Sequence, residues 1–202
     1  MKLYYSDVLS PRKACAVARY LKSPVEFVYL DLTKGDHKTP AYLALNPNAK
    51  VPTLVDGERV IWEADAINCH LSECAGAQLW PRDTAGQIDV VRWLSWNDQH
   101  FTRAGGALYF ENIIKKRFRI GAPDAAVVGK ELADFRRFAA VLDAHLNGRD
   151  WLVGNQMTVA DFAVAVFLPY AAEAHVALDD FPQVGRWHDQ LNALEAWRNP
   201  FP

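Results

Sequence analysis

Between Asn46 and Ile67 the chain reads NPNAKVPTLVDGERVIWEADAI, and this stretch restricts the possible folds more than any other. Lys50-Val51-Pro52-Thr53-Leu54 opens one strand, Asp56-Gly57 turns it, and Val60-Ile61-Trp62 return it. Asp-Gly between two apolar runs predicts an antiparallel hairpin, because the primed turns that match strand twist need positive φ at their centre. Pro52 cannot donate to a ladder and belongs at a strand start, where a cis bond turns the Val51 backbone groups outward. Groups so exposed can pair with an extended peptide. Glu63 then leads Ala64-Asp65-Ala66-Ile67 into a helix whose free N–H groups and positive dipole end attract a carboxylate. Together these features suit a short acidic peptide.

Periodicity extends the pattern in both directions. Leu3 to Ser6 reads as a strand, Pro11 to Leu21 as a helix and Val25 to Leu30 as a second strand with alternating faces, a βαβ start. With the His37–Leu45 segment, the hairpin and the helix from Glu63, the order is β-α-β-α-β-β-α to about Cys74. Gly76 to Arg82, with Trp80-Pro81 inside it, interrupts this α/β region as a linker. Everything after it reads helical. One helix covers Ile88 to about Arg117 with a bend expected at Gly105-Gly106, and others cover Asp124–Leu146, Met157–Ala174 and Pro182–Leu194. Thr158-Val159-Ala160-Asp161 has the spacing of a capping box, a folding signal and not a site.

Several function classes are disfavoured by the bulk properties. A net charge of -2 and a sequence pI of about 6.3 give no electrostatic footprint for nucleic acid, and Lys115-Lys116-Arg117 with Arg119 reads as a solvated helix face. Met1-Lys2 runs straight into a strand-like segment and no apolar run is long enough for a membrane span, so a cytoplasmic protein is expected with neither nucleic acid nor membrane as partner. Cys15, Cys69 and Cys74 are odd in number and lack C-x-x-C spacing, which predicts no disulfide framework, zinc site or dithiol pair. At 202 residues and 50% hydrophobic content, the chain suits one or two small domains with real cores.

The Asn46–Ile67 stretch, with LDLTKGDHKTPAYLALNPNAKVP upstream and VGNQMTVADFAVA downstream, resembles the cytosolic glutathione S-transferases over nearly all 202 residues. The theta and phi classes, which use a serine, are the most similar. The resemblance implies a thioredoxin-like α/β domain over 1–76 that binds glutathione, a linker at about 77–82, and an all-helical domain over 83–202 that binds the electrophile. It also implies a homodimer that conjugates the glutathione thiolate to a small hydrophobic electrophile in detoxification. Glutathione is then a co-substrate, with no metal and no organic cofactor.

Site residues follow from the same comparison. SDVLSPRKA matches the arrangement in which a serine between the first strand and first helix contacts the glutathione sulfur, which makes Ser10 the candidate catalytic hydroxyl. By itself, Ser10-Pro11 is equally a helix start with serine as cap and proline at the first helical position. Tyr4 and Tyr5 are competing donors that read otherwise as strand packing, Ser6 is an outside candidate, and Cys15 reads as core. His37 and Lys38 resemble the pair that approaches the glycine carboxylate, and Lys50 the basic or amide residue before the valine-proline pair. Val51 and Pro52 would meet the cysteinyl unit, and Glu63 and Ala64 hold the glutamate-serine positions that meet the γ-glutamyl end. Ala64 departs from the pattern, since the hydroxyl is missing and only the backbone N–H survives as donor.

For the electrophile, the aromatic-rich helix offers Trp93, Trp96, His100, Phe101, Arg103, Tyr109 and Phe110; of these Trp96, His100, Phe101 and Arg103 are the candidates retained. An aromatic stripe at helical spacing serves a core equally well. Two other functions fit the same sequence: a non-catalytic protein-interaction module on this fold, and a glutathione-dependent reductase or dehalogenase.

Overall fold

A computed structural model describes residues 1–202, which divide into two compact units: 1–81 together with 193–202, and 82–192.

Unit 1 runs β1 (Lys2–Tyr5), α1 (Leu9–Tyr20), β2 (Glu26–Tyr29), a 3₁₀ turn (Asp36–Lys38), α2 (Pro40–Leu43), β3 (Thr53–Asp56), β4 (Arg59–Trp62) and α3 (Ala64–Cys74). The four strands form one sheet in the order β2-β1-β3-β4, with β1 parallel to β2 and β3 antiparallel to both its neighbours. This is the thioredoxin-like α/β arrangement that the order of elements implies. Leu3 and Leu54 face each other across β1 and β3, and with Ala14 and Val17 of α1 and Ile67 and Leu71 of α3 they are wholly buried. Burial of each large apolar side chain stabilises the unit by about 1.5–3 kcal/mol.

Two local expectations shift by one or two residues. Asp56 still pairs with Arg59, so the hairpin loop is Gly57-Glu58 and not Asp56-Gly57. Gly57 has φ +59° and Glu58 is not in the left-handed region, the type II′ pattern, in which glycine takes the first central position. Helix α1 begins at Leu9, with extended Val8 as its N-cap and no side-chain cap, so Ser10 is the second helical residue and Pro11 the third. The first helical hydrogen bond is donated by Arg12 N–H to the Val8 carbonyl. Pro11 therefore sits where an N–H would have no partner in any case, and it does not break the helix.

Unit 2 is helical. α4 (Thr84–Trp96), α5 (Thr102–Tyr109) and α6 (Lys115–Arg117) continue into one another through π-helical turns at Asn97–Phe101 and Phe110–Ile114. The irregularities fall there and not at Gly105-Gly106. Gly105 serves close packing, because a Cβ on it would lie 2.7 Å from the Phe167 ring. α7 (Ala125–Leu146) is capped by Asp124, whose carboxylate accepts from the Ala126 and Val127 N–H groups. α8 (Val159–Val164) passes into a 3₁₀ segment, Ala165–Tyr170, which ends the long helix expected over Met157–Ala174. Pro169 lacks the N–H that would bond to the Ala165 carbonyl, and its ring crowds that group. α9 (Pro182–Asn192) is capped from outside, since Asp143 of α7 accepts from the Gln183 and Val184 N–H groups. The core is aromatic, with Phe101 stacked on Phe135 at 4.8 Å and Phe135 edge-on to Phe167 at 5.2 Å.

The chain ends in α10 (Glu195–Arg198). An all-helical domain over 83–202 therefore gives way at its end, because residues 193–202 join unit 1. Trp197 is fully buried, the Arg12 guanidinium lies 5.1 Å over its ring and donates to its carbonyl, and Phe201 stacks on Tyr5. No helix is long and apolar enough to cross a membrane.

The capping box at α8 is complete. Thr158 Oγ1 accepts from the Ala160 N–H, and Asp161 Oδ2 accepts from the Thr158 N–H at 2.8 Å. Asp161 Oδ1 also accepts from the Leu152 N–H and from Trp187 Nε1, both at 3.0 Å, so one carboxylate ties together a loop, α8 and α9. Burial pushes its pKa up to about 6, and the hydrogen bonds oppose that rise. Asp161→Ala leaves four buried donors without this acceptor, the Leu152 and Thr158 N–H groups, the Thr158 hydroxyl and Trp187 Nε1, at about 1–3 kcal/mol each before relaxation. It is expected to destabilise the protein by about 3 kcal/mol or more in urea unfolding; a loss under about 1 kcal/mol would contradict this role.

Candidate functional site

Strand register brings four chain segments to one end of the sheet. Tyr4 pairs with Thr53 and Thr53 with Trp62, so the exit of β1, the start of β3 and the exit of β4 lie level. Tyr5 pairs with Tyr29 in parallel, which places the exit of β2 there as well. Ser10 follows β1, His37 and Lys38 follow β2, Lys50-Val51-Pro52 precede β3, and Glu63-Ala64 follow β4. The residues that the resemblance assigns to glutathione thus all belong to segments at that end.

The Val51-Pro52 peptide is cis, and β3 pairing begins only at Thr53. The Val51 N–H and C=O take no hydrogen bond within the protein, whereas the residue before it is braced. The Tyr42 hydroxyl donates to the Lys50 carbonyl at 2.6 Å, and Asn46 Nδ2 donates to it at 2.9 Å. Both also reach Thr53 Oγ1, at 2.8 and 3.0 Å. Tyr42, Asn46 and Thr53 are buried, so a rigid polar cluster holds the turn while Val51 remains available for an added strand.

Glu63 sits at φ +69°, ψ 117°, a left-handed value for a non-glycine residue and a strain of order 1–3 kcal/mol. It is the N-cap of α3 but supplies no side-chain cap. The first bond of α3 is donated by Ile67 N–H to the Glu63 carbonyl, so the N–H groups of Ala64, Asp65 and Ala66 have no partner within the helix. Such a helix start binds anions, carboxylates included.

Ser10 is exposed in the first turn of α1, and its hydroxyl caps nothing. The sequence alternative of a purely capping serine is therefore not what the chain adopts. Tyr5, the competing donor, is buried between Phe27, Tyr29 and Phe201, and burial raises its pKa, which makes it a weaker acid. Ser6 is buried with its carbonyl accepting from the Val8 N–H. Burial pushes the Cys15 thiol up to about 12, in keeping with a core residue. His37 is half-buried and its Nδ1 is a buried atom with no partner; Lys38 and Lys50 are exposed cations.

Sequence reasoning did not single out Lys13 or Asp65. Lys13 Nζ lies 2.6 Å from Asp65 Oδ1, with both side chains largely buried, and this pair joins α1 to α3 near their N-terminal ends. Lys13 is three residues after Ser10 and shares its helix face. An acid next to a suspected anion site, in Glu63-Ala64-Asp65, is the signal that could have prompted a search for its cation.

In unit 2 the four candidate residues separate. Trp96 and His100 are partly exposed; His100 stacks on Phe138 at 4.7 Å and Trp96 meets Phe138 edge-on. Phe101 is fully buried between Trp96 and Phe135, so it has no surface to offer a ligand and is core. Arg103 is drawn into ion pairs with Glu131 and Asp134 of α7 at 3.2 and 3.1 Å. The π turn over Asn97–Phe101 is held by buried Asn97, which accepts from the Thr102 hydroxyl at 2.7 Å and donates to the Ala163 carbonyl. That extra residue per turn breaks the 3.6 periodicity, which is why spacing alone could not tell Phe101 from His100.

Comparison with known proteins identifies the family of the chain. Residues 2–73 match the family described as glutathione S-transferase, N-terminal domain, and residues 100–195 match glutathione S-transferase, C-terminal domain. Glutathione S-transferase 3 of Zea mays is 34% identical over 180 residues, covering 86% of this chain and 80% of that protein. FtsZ-localized protein A of Caulobacter vibrioides is 32% identical over 166 residues, covering 79% and 73%. The solved structure of glutathione S-transferase III in its apo form superposes with a TM-score of 0.84 at 33% identity, over 98% of this chain and 94% of that one. With both halves matched and identity of this order across most of its length, the chain belongs to the glutathione S-transferase family.

Proposed function

We propose that the protein binds glutathione at the end of the unit 1 sheet where Val51 lies and conjugates its thiolate to a hydrophobic electrophile. The observation that supports this most directly is the unpaired Val51 backbone beside two helix starts, with a braced carbonyl behind it. In this reading Val51 pairs with the cysteinyl unit, and the Ala64 N–H with Glu63 receives the γ-glutamyl end. His37, Lys38 and Lys50 attract the glycine carboxylate. Ser10 donates to the sulfur at the start of α1. The carbon–sulfur bond forms as the leaving group departs with its electron pair, the thiol proton having gone to solvent; Ser10 keeps its own proton.

The magnitudes are consistent. A thiol of pKa about 8.5 is only ~3% ionised at pH 7, and lowering it by two units costs about 2.7 kcal/mol. A hydrogen bond to the charged sulfur supplies about 1.5–3 kcal/mol and the helix start about 0.3–1 more. Nucleophilicity falls with pKa at a slope near 0.4–0.5, which leaves roughly a threefold net gain at pH 7. Most of the acceleration must then come from holding the electrophile beside the sulfur. Of the four electrophile candidates in unit 2, Trp96 and His100 keep exposed ring surface, whereas Phe101 is buried and Arg103 is engaged by acids. The three free cysteines suit a cytoplasmic, reducing compartment, where detoxification by glutathione would take place.

A second reading rests on a specific relative, since FtsZ-localized protein A shares the sequence at 32% identity and its name describes a location and not a reaction. A protein-interaction module on this fold would bind a partner without conjugating glutathione.

Ser10→Ala is expected to leave glutathione affinity within a few fold. Its conjugation of a chlorodinitrobenzene-type electrophile should fall most at acid pH, by about tenfold or more near pH 6, because that is where the lost thiolate outweighs the gain in nucleophilicity. Near-normal turnover in Ser10→Ala, with activity abolished in Tyr5→Phe, would transfer the role to Tyr5.

Ala64 lacks the hydroxyl expected at its position, which forfeits a charge-assisted hydrogen bond worth on the order of 1.5 kcal/mol, or roughly tenfold in affinity. Ala64→Ser should tighten glutathione binding by several fold in calorimetry with little change in the chemical step. A dissociation constant unchanged or raised would show that the γ-glutamyl end is not held there.

We also propose a homodimer. Sedimentation at micromolar protein should give twice 22.7 kDa, and a clean species at the chain mass would refute it.

A further inference from the structure

At the other end of the unit 1 sheet, the β3–β4 hairpin meets the last turns of α3. Asp56 closes β3 immediately before the Gly57-Glu58 loop. His70 and Cys74 are four residues apart on α3 and so share one helix face. Asp56 Oδ2 lies 2.9 Å from His70 Nε2, and Cys74 Sγ lies 3.6 Å from the same nitrogen. One oxygen, one nitrogen and one sulfur atom thus fall within 4.8 Å of one another.

Hydrogen bonding cannot fully use this convergence. His70 Nε2 either carries one proton to donate or presents one lone pair, so it cannot serve a carboxylate and a thiol equally at once. A cation at the centre can serve all three. For a tetrahedral ion with bonds of about 2.0 Å to nitrogen and 2.3 Å to sulfur, the nitrogen–sulfur separation is about 3.5 Å, close to the 3.6 Å found here. The same geometry sets nitrogen and carboxylate oxygen about 3.3 Å apart, so Asp56 would withdraw by a few tenths of an ångström from its present 2.9 Å.

We propose that Asp56, His70 and Cys74 form a zinc-binding site with water in the fourth position. The ligand set selects the metal. Magnesium and calcium require oxygen-rich shells, and copper(II) would oxidise the thiol; zinc accepts carboxylate, imidazole and thiolate in one site and undergoes no redox change. The Asp56 side chain is 37% exposed, that of His70 15%, and Cys74 lies at the surface, so an ion has a path in. No zinc motif marks this set in the sequence because the ligands come from a hairpin and a helix, spaced Asp-x13-His-x3-Cys. Zinc here would pin the hairpin loop to the end of α3, at the opposite end of the sheet from the segment bearing Val51, and would take no part in glutathione conjugation.

Cobalt(II) titration of the full chain tests this without reference to activity. The wild-type protein should develop a near-ultraviolet sulfur-to-cobalt charge-transfer band with the visible bands of four-coordinate cobalt, and added zinc should abolish both. Cys74→Ser should lose the charge-transfer band, and His70→Gln should bind at least tenfold more weakly. Cys69→Ser, which alters a neighbouring thiol outside the cluster, should keep the band. Zinc should raise the thermal midpoint of the wild type and not that of His70→Gln. A wild-type protein with no charge-transfer band, or one whose band and affinity persist in Cys74→Ser, would overturn the assignment.

Discussion

Thr53 pairs with Tyr4 on one side and with Trp62 on the other, and this double pairing determines where the chemistry of unit 1 can lie. A slip of one residue would turn every side chain of β3 to the opposite face and move Val51, Glu63 and the end of β1 out of line. Thr53 is fully buried and its hydroxyl is met by both Tyr42 and Asn46, the residues that also hold the Lys50 carbonyl. The residue that sets the register is therefore linked to the turn that presents Val51. Placement of the strand edge and pre-organisation of the proposed peptide site have one structural origin.

A second constraint ties the two helix starts together. Lys13 and Asp65 form a largely buried ion pair between α1 and α3, the helices that begin next to Ser10 and Glu63. Loss of one partner from such a pair leaves an uncompensated charge, at a cost of about 3–5 kcal/mol. The pair thus fixes one anion-attracting helix start relative to the other. Glu63, held at φ +69° between the end of β4 and the first turn of α3, is strained in the same region. Strain of that kind persists only where flanking pairing over-determines the backbone, here the Thr53–Trp62 ladder and the Ile67–Glu63 hydrogen bond.

Features legible in the sequence were those encoded locally. The hairpin, the exposed valine-proline start of β3, the helix after Glu63 and the Thr158 capping box each rest on residues within a few positions of one another. Features that were not legible rest on contacts distant in sequence or on small shifts of backbone geometry. Val8 caps α1 through extended backbone alone, which displaced Ser10 from cap to second helical residue. Gly105 is present because Phe167 lies against it, a contact that no helical wheel reports. The π turn over Asn97–Phe101 buried Phe101 and left His100 partly exposed, and Arg103 found acids on α7. The Lys13–Asp65 pair and the Asp56–His70 contact join residues 52 and 14 positions apart, beyond the reach of local motifs.

The proposed function requires that glutathione adds to the chain at Val51 and at the start of α3. Amide chemical-shift mapping of the isotopically labelled protein during glutathione titration tests it most directly, since the Val51 N–H and those of Ala64, Asp65 and Ala66 are the free donors. Saturable shifts are expected, largest at these four amides and at Ser10, with little change at Asp56, His70 and Cys74. Saturable shifts confined to other segments, with these amides unmoved, would contradict it.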